Sequence, residues 1–165
     1  MAIRLRNKPR RSAAGLAAGT LAFAARTLAL AAAFGVHIAG QGPRTFVARL
    51  SPVPITVAMQ ESVAGRGSAT AVLTGNRLTI TGTFEGLRSS ATVARLHLAA
   101  RGVRGPAVID ITVSKGTSGT ISGTADLTEQ QRQALEKSSI YIQIHSEKAP
   151  EGNLWGWLLP QEVER

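Results

Sequence analysis

RLTITGTFEG, Arg77 to Gly86, decides what kind of fold this chain can make. Leu78, Ile80, Gly82 and Phe84 alternate with Arg77, Thr79, Thr81, Thr83 and Glu85. A strand turns successive side chains to opposite faces, so one apolar and one polar set at a period of two describes a half-buried β-strand. Outward from this stretch the same period returns. TISGTADL sets Ile121, Gly123, Ala125 and Leu127 against Thr120, Ser122, Thr124 and Asp126. AVIDITV sets Ala107, Ile109, Ile111 and Val113 against Asp110 and Thr112. TFVARL, SATAVLT, TVARLHLA, IYIQIHS and NLWGWLL continue the series. Gly75-Asn76, Glu85-Gly86, Gly105-Pro106, Lys115-Gly116 and Glu151-Gly152 supply turn chemistry between the runs.

One segment departs from the pattern. In DLTEQQRQALEKSS, Thr128 is a good N-cap, Gln131 completes a capping box three residues later, and strong helix formers follow. The expected fold is therefore all-β: a Greek-key-like, antiparallel two-sheet sandwich of about eight strands, with one short helix near residues 129–137.

The first forty residues belong to something else. MAIRLRNKPRRS is basic without an acid, and an Ala/Leu-rich run follows to about Gly40. A basic n-region (1–12), an apolar stretch (13–40) and small residues at Ala22–Ala24, Ala29–Ala31 and Ala39–Gly40 make the pattern of an export signal. Arg26 in mid-span and the weakly apolar, Ala-rich composition disfavour a retained anchor. The expected division is a helical export signal over 1–40, a linker over 41–44, one domain over 45–160 and a tail over 161–165. The expected location is periplasmic or secreted, with membrane contact only through an uncleaved signal.

The same segment removes the most conspicuous bulk property. The formal charge of +9 suggests a nucleic-acid partner, but six of the 19 basic residues and none of the ten acids lie in 1–40. What remains is close to neutral and carries no basic run, so it has no footprint for a phosphate backbone. The chain has no cysteine. That excludes a thiol nucleophile, a cysteine-zinc site and haem attachment through Cys-x-x-Cys-His.

Strand parity groups the chemically active side chains. Tyr141, Gln143, His145 and Glu147 share one face of their strand, opposite Ile140, Ile142 and Ile144. Val93, Arg95 and His97 are likewise in phase. If the two strands are neighbours, His97, His145, Glu147 and Asp110 can converge, and imidazole with carboxylate suits copper, zinc, iron or manganese. Such a centre needs the two imidazoles within about 4 to 5 Å of each other, since each nitrogen must reach one ion at about 2 Å. The plainer reading is that both histidines bond strand edges, and then no cofactor is expected. Trp155 and Trp157, two apart, share a face of the last strand. They form a stacking platform if that face is open and core if it is covered; with seven aromatics in the chain, packing is favoured. An open face would make Arg95, Tyr141, Gln143, Trp155 and Trp157 a binding surface for a protein or glycan partner at the cell envelope. Gly102-Val103-Arg104-Gly105-Pro106 is a turn into a strand rather than a phosphate loop, no Gly-x-Ser-x-Gly elbow is present, and no spacing makes a catalytic carboxylate pair.

ATVARLHLAARGVRGPAVIDITV (91–113) and, beyond the helix, YIQIHSEKAPEGNLWGWLL (141–159) resemble the CHRD (chordin-type) domain. That family shows an Ala-His-(Ile/Leu)-His segment, a Gly-x-x-Gly-Pro-Val turn into a strand, an aromatic-Val-x-Val-His-(Thr/Ser) strand and a closing Gly-(Glu/Asn)-(Ile/Leu)-x-Gly. The upstream ARLSPVPIT and TFEGL stretches fit as well, so the resemblance covers about residues 45–160. Arg95 stands where the family has the first histidine of its pair, and the loop LAARGVRG is short. The resemblance implies an exported or extracellular β-rich module. The expected role is a non-catalytic binding or structural module at the envelope. The alternative is a small metal-binding, redox-capable protein using His97 and His145.

Overall fold

Each alternating run becomes a strand in the computed structural model, which describes residues 42–161. The export signal read at 1–40 and the last four residues of the tail lie outside the described residues. In chain order the elements are β1 (Arg44–Pro52), β2 (Arg66–Thr74), β3 (Arg77–Glu85), β4 (Ala91–Leu98), β5 (Ala107–Val113) and β6 (Gly119–Asp126). Then come α1 (Glu129–Glu136), β7 (Ile140–Ser146), β8 (Ala149–Trp157) and the two-residue β9 (Leu159–Pro160).

The sandwich expectation is overturned. Every pairing is antiparallel, and the strands close in the order β1-β2-β3-β6-β5-β4-β7-β8 and back to β1, an eight-stranded barrel. Two strands change partner along their length and so join what would have been separate sheets. β1 pairs with β2 from Arg44 to Leu50 and with β8 at Ser51–Pro52. β5 pairs with β4 from Ala107 to Ile111 and with β6 at Thr112–Val113. β9 continues the register of β8 against β1, with Phe46 opposite Pro160, so the two act as one interrupted stave. A sandwich and a barrel both need apolar-in, polar-out alternation, and the period of two does not separate them. The meander β4-β5-β6 with β3 beside β6 is a Greek-key connection.

The interior is built from the apolar phases already named. Leu78, Ile80 and Phe84 from β3, Ile121 from β6, and Ile140, Ile142 and Ile144 from β7 are all buried in one cluster. Full burial of a Leu or Ile side chain is worth about 1.5–3 kcal/mol each. Threonine and serine occupy the opposite, solvent face of β2, β3 and β6. Glycine enters where strands press together. A Cβ on Gly123 would lie 2.8 Å from Ile111 Cγ2, beside the seam where β5 crosses to β6. The helix starts as its cap demands: Gln131 N–H donates to Thr128 Oγ1 and the Gln131 side chain accepts from Thr128 N–H. Leu127 and Leu135 then join the interior cluster.

The expected turn at Glu151-Gly152 is not one. The chain reverses at Glu147–Lys148, and Gly152 sits inside β8 at a φ of +124°. Its missing side chain leaves room for the Gln143 amide, which donates to Glu151 O at 2.8 Å. Among the described residues no helix is long and apolar enough to cross a membrane.

Candidate functional site

β7 is buried on both faces, which its sequence conceals. Its inner face is the isoleucine row. Its outer face carries Tyr141, Gln143 and His145, and the sheet register sets them in three rows. His97, Tyr141 and Trp157 lie opposite one another in the first row. Arg95, Gln143 and Trp155 form the second, and Val93 and His145 the third.

Two loops cover this face. Residues 53–65, between β1 and β2, bury Val53 and Val63 in a second cluster with Tyr141, Ala149 and Trp155, and Met59 packs against it. Residues 99–106, between β4 and β5, are tied down by side chains of the face. Gly105 N–H donates to Tyr141 Oη at 3.1 Å, and Trp157 Nε1–H donates to Ala99 O at 3.1 Å. Arg104 donates to Glu151 O at 2.8 Å and lies 6.0 Å from the Trp155 ring centre. Asn153, fully buried, holds the other loop: its amide donates to Ser146 Oγ at 2.8 Å and its carbonyl oxygen accepts from Ala64 N–H at 3.3 Å.

Beneath the loops five rings run in contact. Trp155 and Trp157 meet edge to face at 4.7 Å, Trp157 tilts on Tyr141 at 4.8 Å, Tyr141 stacks on His97 at 4.9 Å, and His97 faces His145 at 6.2 Å between ring centres. Offset and edge-to-face pairs of this kind add about 0.5–1.5 kcal/mol each beyond burial. The indoles are therefore packed: Trp155 is buried, Trp157 half-buried, and Tyr141 and Gln143 fully covered. The open aromatic platform does not form.

The histidines belong to first and third rows, yet their rings approach. The middle row makes this possible by turning away: Arg95 reaches sideways to Asp110 at 2.7 Å, and Gln143 reaches the other way to Glu151. Each imidazole is held by a carbonyl. His97 Nδ1–H donates to Gly105 O at 2.9 Å and His145 Nδ1–H donates to Pro150 O at 2.8 Å. A carbonyl only accepts, so the proton of each neutral ring is on Nδ1 and the lone pair is on Nε2. Both Nε2 atoms are buried and have no hydrogen-bond partner, alone in this among the buried side-chain polar atoms of the described residues. Burial pushes the His145 imidazole below its ordinary pKa, and the nearby His97 and Arg95 push the same way, against the Pro150 carbonyl and Glu151.

The carboxylates do not join them. Asp110 is exposed and occupied by Arg95. Glu147 is exposed in the β7–β8 turn, where its backbone N–H donates to Ser90 O. Among the described residues no three of His, Cys, Asp and Glu come together as a metal group. Parity placed the side chains, but it could not show the Gly105 and Pro150 carbonyls, because backbone acceptors leave no mark in a side-chain pattern. The one signal was glycine before Pro106: a Cβ on Gly105 would overlap the Leu98 carbonyl.

The family model of the CHRD domain matches residues 46–158, from within β1 to just past the end of β8. No curated protein and no solved structure matches the chain.

Proposed function

The chain belongs to the CHRD domain family, and on that premise we propose that it is an exported, non-catalytic module that docks a partner protein in the periplasm or at the cell surface. The observation that carries this reading is where the exposed apolar side chains sit. Among the described residues four large hydrophobics are exposed, and three of them lie on the two covering loops: Ile55 (45 %), Val57 (82 %) and Val103 (56 %). Apolar residues gathered on loops that a rigid scaffold holds in place are the usual composition of a recognition surface. Arg101 and Arg104 beside Val103 supply a polar rim.

The choice between a protein and a glycan follows from the rings. A sugar stacks on open aromatic faces, and here Tyr141 and Trp155 are covered while the loop tips are aliphatic. The near-neutral charge beyond residue 40 supports neither nucleic acid nor an anionic surface. Export rests on the basic, Ala/Leu-rich segment 1–40, which is also the chain's means of membrane contact if retained. Docking of this kind requires no cofactor.

Photo-crosslinking in the native envelope tests the proposal. A crosslinking side chain placed at Val57 and, separately, at Val103 should trap the same partner protein, and one at Thr81 on the opposite face should not. Equal trapping at Thr81, or different partners from the two loops, would contradict it.

A further inference from the structure

We propose that His97 and His145 together form a two-coordinate copper(I) site, closed over by the loop of residues 99–106. This goes beyond the docking reading and does not depend on it.

The first support is an anomaly. A buried polar nitrogen without a partner is costly, and in a native structure it calls for a bound group or a chemical role. Here two occur on facing rings, and His97 is 9 % exposed. The second is the arrangement of the opposite nitrogens. A histidine that ligates a metal usually donates its other N–H to a carbonyl or carboxylate, which fixes the tautomer and the ring plane. Gly105 O and Pro150 O do that for both rings.

Geometry then selects the ion. Two imidazoles bound to one ion at about 2 Å put their ring centres about 5 Å apart in a tetrahedron and about 6 Å apart when opposed. The observed 6.2 Å between ring centres exceeds the roughly 4 to 5 Å expected from the sequence and equals the spacing that an opposed pair of ligands would take. Zinc would need further ligands, and Asp110 and Glu147 are turned elsewhere. Copper(I) is the biological d10 monocation that two opposed nitrogen donors satisfy.

The test is anaerobic titration of the purified full chain with chelator-buffered Cu(I), beside His97→Ala and His145→Ala. The expected result is one Cu(I) per chain, an affinity at least tenfold lower in each variant, and no displacement by equimolar Zn(II). The near-UV circular dichroism of the packed indoles reports whether each variant keeps its fold. If a variant loses that signal, the ¹⁵N spectrum of the native chain decides: Cu(I) must move the Nε2 resonances of both histidines. No retained Cu(I), retention unchanged in folded variants, displacement by Zn(II), or unmoved Nε2 resonances would each overturn the proposal.

Discussion

Residue chemistry decides most at His145. Burial disfavours its cation in the folded protein and lowers its pKa, and His97 and Arg95 oppose charging as well. In the unfolded chain the same group titrates near its ordinary value of 6.5. The folded-state pKa is the lower of the two, so the unfolded state binds more protons as the pH falls. Full stability is present above about pH 6.5 and is lost progressively below it, down to the folded-state pKa. Denaturant unfolding across pH 4.5–7.5 should show this slope, and His145→Gln should flatten it. A slope unchanged by that substitution would place the titrating group elsewhere. The Pro150 carbonyl, which accepts from the ring, and then the charge of Glu151 favour the cation and moderate the effect.

Strands and loops are where sequence reading succeeded and where it stopped. The alternation that set Leu78, Ile80 and Phe84 inward fixed which face of each strand is core, and the Thr128–Gln131 box fixed where the helix begins. Thr128→Ala should therefore cost about 1 kcal/mol in thermal or denaturant unfolding. A loss near zero would mean that packing of Leu135 alone holds the helix. What parity could not show is that β1 and β5 each change partner and close the cylinder, since their composition is the same on both sides of the crossing. Gly156 marks one crossing. A Cβ there would overlap the Arg49 carbonyl oxygen and lie 3.0 Å from Leu50 Cδ2. Gly156→Val should force β8 away from β1 and cost about 1–3 kcal/mol or more. Wild-type stability in this variant would mean that the seam has slack. The outer face of β7 was legible as a list of side chains and illegible as a site. Its cover comes from loops 53–65 and 99–106, whose positions no periodicity encodes.

At the scale of the whole molecule, the barrel is one closed sheet with unequal seams and two cores. β7 lies at the centre, with the isoleucine row on one side and the ring cluster on the other. The β5–β6 seam rests on two register pairs, Thr112–Ser122 and Val113–Ile121. Amide hydrogen exchange should accordingly be slowest in β7 and faster at the β5–β6 seam, because local opening follows the density of buried contacts. Uniform protection around the barrel would contradict that picture. The second core also bears on the proposed docking, since the loops that cover it expose Ile55, Val57 and Val103. The copper proposal depends on the Gly105 and Pro150 carbonyls holding the two imidazoles as Nδ1–H tautomers. A long-range ¹H–¹⁵N spectrum of the imidazoles at pH 7, recorded without added metal, observes this directly. Both His97 and His145 should show a protonated Nδ1 and a bare Nε2. An Nε2–H tautomer, or an averaged pair typical of solvent-exposed rings, would show that the face is open and that the site as described does not exist.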